Sequence, residues 1–150
     1  MKILKDQPFS LLRFNLRFIG FFIGLVVLGL ILVSTVGFEI KGELSLVLAA
    51  VTAASYEGRR WGALKGSLPD ERTFRKLKVL MLISVLIFNT LKDVLLVAAI
   101  SQSGKPVDLT VFLQPLLLGL MVFIYVAIWF GMHFSFIKAV EAEAGKIVSS

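Results

Sequence analysis

The sequence predicts an all-α polytopic membrane protein: four transmembrane helices in one bundle, forming a single domain over residues 1–150, with both termini cytoplasmic. Three observations lead there. Of the 150 residues, 57% are hydrophobic and only 17% charged, against roughly 45–50% and about 25% in soluble domains; mean hydropathy is +0.89. Apolar stretches near the length of a bilayer crossing recur along the chain. Lys and Arg gather in every second connection between them. A soluble fold of this size has too few polar side chains to cover so much apolar surface.

The first segment interleaves Lys2, Lys5, Arg13 and Arg17 with Leu11, Leu12, Phe14, Leu16 and Phe18. Pro8 suits a first helical turn. Arg13 and Arg17, four apart on one face, are set to snorkel to lipid phosphates while the apolar residues enter hydrocarbon. Residues 19–38 then give the first span: 20 residues without a charge, fourteen of them Leu, Ile, Val or Phe. These contribute roughly −6 kcal/mol toward insertion. A cleaved signal peptide is the competing reading, but its apolar core normally has only about 7–15 residues.

The second span, 44–64, is weaker. Residues 44–56 contain only five Leu or Val and are too few to cross as a helix. The helix must therefore continue through Arg59, Arg60 and Trp61, placed at headgroup level, to reach about 31 Å. A span so poor in lipid-facing bulk is expected to lie against neighbouring helices.

The cytoplasmic connection 57–78 holds seven of the sixteen Lys and Arg residues. Within it, Ser67-Leu68-Pro69-Asp70-Glu71 reads as a helix start, with Ser67 as cap and Pro69 in the first turn. Nothing then breaks the helix until Ser101-Gln102-Ser103-Gly104, so about 48 Å of helix carries the third span, 79–100, and projects beyond it. Gly104-Lys105-Pro106 marks a tight loop. The fourth span is 109–136, with Pro115 in its first turns and Tyr125 and Trp129 suited to an interfacial belt. Residues 138–150 read as a short cytoplasmic mixed-charge helix or frayed tail. Thirteen Lys and Arg fall on one side and two, Lys41 and Lys105, on the other, which puts both termini inside.

Chemistry is narrowed as much by what is missing. There is no cysteine and one histidine, so disulfides, thiolate nucleophiles, Cys-based zinc and His-cluster metal sites are excluded. No HExxH or phosphate-cradling Gly loop occurs, and no Ser/His/Asp triad can be assembled. No cofactor or metal is expected. The net charge of +6 flanks apolar stretches, so bilayer headgroups explain it and nucleic acid does not.

Four groups of residues need explaining. Ala50, Ala54, Gly58, Gly62 and Gly66 recur every fourth residue, with Ser45, Ala49 and Ala53 beside them. This is a small-residue ribbon for close helix packing. Gly20 and Gly24 offer a matching GxxxG surface, for packing within the chain or against a second copy or another membrane protein. Asn89, Lys92 and Asp93 lie inside the third span, where each charge costs roughly 2.5–3.5 kcal/mol. They read as a polar clasp to Gln114, Glu39 or Glu43; handling of an ion or substrate, or partner docking, are the alternatives. His133 reads as an interfacial hydrogen-bonder, with proton relay as the alternative. Arg59, Arg60, Trp61, Arg72, Arg75 and Lys76 serve topology, anionic headgroups or an acidic partner.

The basic N-terminal helix, the Ala-rich second span, Tyr56-Glu57-Gly58-Arg59-Arg60 and the Pro69-Asp70-Glu71 helix start together resemble a family of small four-span bacterial inner-membrane proteins of uncharacterised function. That resemblance implies a multi-pass inner-membrane protein and no activity. The expected role is a non-enzymatic accessory or interaction protein, such as a small subunit of a larger membrane complex. The alternative is a small transporter or channel, acting as a homo-oligomer, with a path near Asn89, Lys92, Asp93 and Gln114.

Overall fold

A computed structural model of the chain describes residues 8–37, 42–102 and 115–148. It is all-helical, with four helices: α1 (Leu11–Val36), α2 (Gly42–Lys65), α3 (Glu71–Gln102) and α4 (Pro115–Val148). Three are long and apolar enough to cross a membrane: α1, α3 and the Gly119–Lys146 stretch of α4. The second helix falls outside that group, and its packing explains why.

Ser10 starts α1. Its hydroxyl accepts the Arg13 N–H at 3.5 Å and its carbonyl the Phe14 N–H, satisfying donors that a helix start otherwise leaves open. Gly37 ends the helix at φ 70°, donating to the Val33 carbonyl; a left-handed C-cap of this kind favours glycine. Gly66, at φ 67°, ends α2 in the same way. The start of α3 corrects the sequence expectation. Asp70, rather than Ser67, caps the helix: its carboxylate accepts the Thr73 N–H at 3.0 Å and its carbonyl the Phe74 N–H. Pro69 therefore precedes the helix. The Ser67 carbonyl instead accepts the Trp61 indole N–H at 3.0 Å, which staples the short α2–α3 turn. In α4 the helix continues unbroken to Val148, so the tail from 138 is part of it; residues 109–114 lie outside the described residues.

The fourfold small-residue spacing gives α2 a ridge that another backbone can approach closely. Gly58 lies against the Phe136 backbone and Gly62 against that of Val140: a Cβ added there would sit 2.5 and 2.6 Å from the two carbonyl oxygens. Val51 meets Gly131 further along. The partner positions rise together along both chains, so α2 and α4 run parallel, as alternate helices of an up-and-down chain must. Ala50 and Ala54 on the same ridge are fully buried. Nine of the 24 residues of α2 are buried, against four of 26 in α1 and four of 32 in α3. A helix that turns this much of its surface to its neighbours needs less of a bulky apolar coat, which accounts for its weak hydropathy.

On α1, Phe14, Phe18 and Phe22 recur every fourth residue and form the buried face, with Phe18 and Phe22 edge-on to Phe88 of α3 at 5.0 and 5.1 Å. This corrects the expected match between the two glycine surfaces. Gly20 and Gly24 are exposed and have nothing within 4 Å of an added Cβ. Outward faces of α1, α3 and α4 carry Leu16, Ile23, Leu30, Ile87, Leu95 and Phe123, surface suited to lipid.

Two predictions follow from these contacts. Gly58→Ala and Gly62→Ala should each destabilise the protein by about 1–3 kcal/mol in detergent melts, whereas Gly20→Ala and Gly24→Ala should be neutral or slightly stabilising. The Thr73 hydrogen bonds hold the Asp70 carboxyl below its ordinary value of 3.8. Its capping contribution is then present above pH 4 and lost as pH falls through the depressed value. Asp70→Asn should flatten that part of the pH–stability curve.

Candidate functional site

Two polar assemblies stand out in an otherwise apolar molecule. The first centres on Glu57, fully buried on α2. Arg17 Nη1 donates to Glu57 Oε1 at 2.8 Å; Arg13 Nη2 and the Ser10 backbone N–H donate to Oε2 at 3.4 and 3.3 Å. The four-residue spacing of Arg13 and Arg17 puts both on one carboxylate, from one face of α1. A buried charge is tolerable only when paired and hydrogen-bonded; here the two partners remain 19% and 34% exposed and bring the cluster to the edge of the fold.

This revises the reading of Arg13 and Arg17 as residues committed to lipid phosphate: their guanidinium groups hold the start of α1 to α2. Glu57 was not singled out from the sequence, where it only opened the basic connection. A signal was nonetheless present. Buried α2 residues fall in pairs at 49/50 and 53/54, and continuing that rhythm puts Glu57 and Gly58 on the inner face. Arg17 also lies 5.3 Å from the Tyr56 ring centre, and Arg59 covers the same ring at 5.8 Å.

The second assembly joins α3 and α4. Asn89 is buried, and its Nδ2 donates to Asp93 Oδ2 at 3.2 Å and to the Tyr125 hydroxyl at 3.1 Å. Lys92 Nζ pairs with Asp93 Oδ1 at 3.1 Å. The two charges thus neutralise each other within one turn of α3, which lowers the insertion cost of each. Glu43 and Leu46 of α2 join these residues around a cavity of about 180 Å³. The interhelical partner of the cluster is Tyr125, which the sequence had assigned to an interfacial belt. Gln114 and Glu39, expected to close the clasp, lie outside the described residues; Glu43 lines the cavity.

The remaining candidates are spread over the same end of the fold as Glu57. The Trp61 ring is tilted against that of Phe136 at 6.5 Å, and its indole N–H closes the α2–α3 turn. Arg72 and Lys76 are exposed, and Arg75 pairs with Glu71 on the surface. His133 Nδ1 accepts from Lys78 Nζ at 3.3 Å, the hydrogen-bonding role read for it. Among the described residues no group of three or more His, Cys, Asp or Glu could hold a metal ion.

Set against protein-family models, curated proteins and solved structures, the chain matches none.

The Glu57 triad makes a test of non-additivity. Arg13→Gln with Arg17→Gln strands a buried carboxylate and should cost about 3–5 kcal/mol. Adding Glu57→Gln to that pair should recover part of the loss rather than deepen it. Chemical melts of the double and triple variants check the sign.

Proposed function

We propose that the protein is a non-enzymatic, four-span integral membrane protein of the bacterial inner membrane, both termini cytoplasmic, that acts by holding a membrane-protein partner. The observation that carries this reading is the unequal use of its two small-residue surfaces. The ribbon Ala50, Ala54, Gly58 and Gly62 is consumed inside the fold against α4, while Gly20 and Gly24 of α1 face outward with open space above both. In lipid, an outward GxxxG face gains little from hydrocarbon and much from a close second backbone. The thirteen-to-two distribution of Lys and Arg supports the orientation.

A second reading rests on the 180 Å³ cavity lined by Glu43, Asn89, Lys92 and Asp93: a homo-oligomeric transporter or channel. The two readings separate in one preparation. As an accessory protein, the full chain purified in mild detergent carries another membrane protein at fixed stoichiometry. Gly20→Leu with Gly24→Leu releases it without lowering the melting temperature. As a transporter, the chain purifies alone as an oligomer, moves ions or solutes across liposomes, and loses that flux in Asp93→Asn. Retention of the partner by the Gly20/Gly24 variant contradicts the proposed contact.

A further inference from the structure

The α3–α4 interface is closed at Asn89–Tyr125 but opens toward the end of the fold that holds Lys78. There a groove of about 510 Å³ runs between Leu82, Ile83 and Leu86 on one side and Val122, Val126 and Phe130 on the other. Its walls are hydrocarbon and aromatic, and Tyr125, bonded to Asn89, stands among them. At the end near Trp129 stands a cation. Lys78, one turn before Leu82, holds its ammonium 4.7 Å from the centre of the Trp129 ring, which lines the groove, and 4.8 Å from that of Phe74.

Lys78 is oddly partnered. Its one hydrogen bond goes to the neutral acceptor His133 Nδ1, and no carboxylate among the described residues pairs with it. Ring faces attract an ammonium but leave its charge uncancelled. Of the basic groups nearest in sequence, Arg75 is already paired with Glu71 and Lys76 is exposed.

We propose that this groove binds one anionic phospholipid, with the phosphate on Lys78 and one acyl chain laid between α3 and α4. Charge complementarity selects the headgroup, and the apolar wall, about 12 Å long from Val122 to Phe130 along α4, takes the chain. The head–tail order also fits: Lys78 precedes the third span, at phosphate depth, and the apolar walls run inward from it.

Native mass spectrometry of the full chain, titrated with phosphatidylglycerol or phosphatidylcholine of identical acyl chains, tests this. One phosphatidylglycerol should bind in preference to phosphatidylcholine. Lys78→Gln should weaken phosphatidylglycerol roughly fivefold while leaving phosphatidylcholine unchanged, and Lys78→Arg should retain the preference. Val126→Trp, at an outward-facing position, should fill the groove and displace the bound lipid without lowering the melting temperature. Equal occupancy by both lipids, or wild-type phosphatidylglycerol binding in both Lys78→Gln and Val126→Trp, overturns the proposal. So does a cross-link from Ile83 or Val126 to a partner helix.

Discussion

Backbone contact between α2 and α4 at Gly58 and Gly62 is the constraint on which the rest of the structure depends. With carbonyl oxygens 2.5 and 2.6 Å from where a Cβ would stand, the two helices can approach this closely only because both positions lack a side chain. That approach buries the inner face of α2, and burial in turn explains how a helix with Glu43, Glu57, Arg59 and Arg60 sits among three that are far more apolar. Most of the exposed large apolar side chains lie on the other three helices, while α2 keeps its inner face against protein. In hydrocarbon, where apolar side chains gain nothing by leaving lipid, such contact has to come from dispersion and close approach.

Charge placement follows the same logic. Glu57 sits on the enclosed face of α2, where an isolated carboxylate would be prohibitive, and α1 supplies two guanidinium groups and a backbone N–H to it. The Phe14–Phe18–Phe22 face lies directly beyond, so α1 is held by charge at its start and by aromatic packing along its length. On the other flank, Asn89, Lys92 and Asp93 solve the same problem differently, by neutralising locally and using Tyr125 to reach α4. Glu57, Asn89, Lys92 and Asp93 thus each have a partner on a neighbouring helix or within one turn of their own.

Much of this was legible in the chain. Apolar runs and their breaks located all four helices, and the poverty of residues 44–56 in Leu and Val correctly pointed to α2 lying against other helices. Residues whose meaning depends on which helix lies opposite were harder. Arg13 and Arg17 look identical whether they face phosphate or Glu57, because i,i+4 spacing fixes a face and not its neighbour. Gly20 and Gly24 match the GxxxG pattern as well as Gly58 and Gly62 do, yet only the latter pair is packed; the phenylalanines on α1 occupy the inner face and turn the glycines out. Asp70 and Ser67 both suit a helix cap, and the turn after Gly66 decides between them by giving the Ser67 carbonyl to Trp61.

The proposed four-span architecture stands or falls on α2 crossing the bilayer with its inner face against α1 and α4. The chain has no cysteine, so single substitutions Glu43→Cys and Ser67→Cys, at the two exposed ends of α2, report sidedness without background. In intact spheroplasts, a membrane-impermeant maleimide should label position 43, and should reach position 67 only after permeabilisation. Labelling of both positions from the same side would contradict the account, because α2 would then return to the face from which it set out.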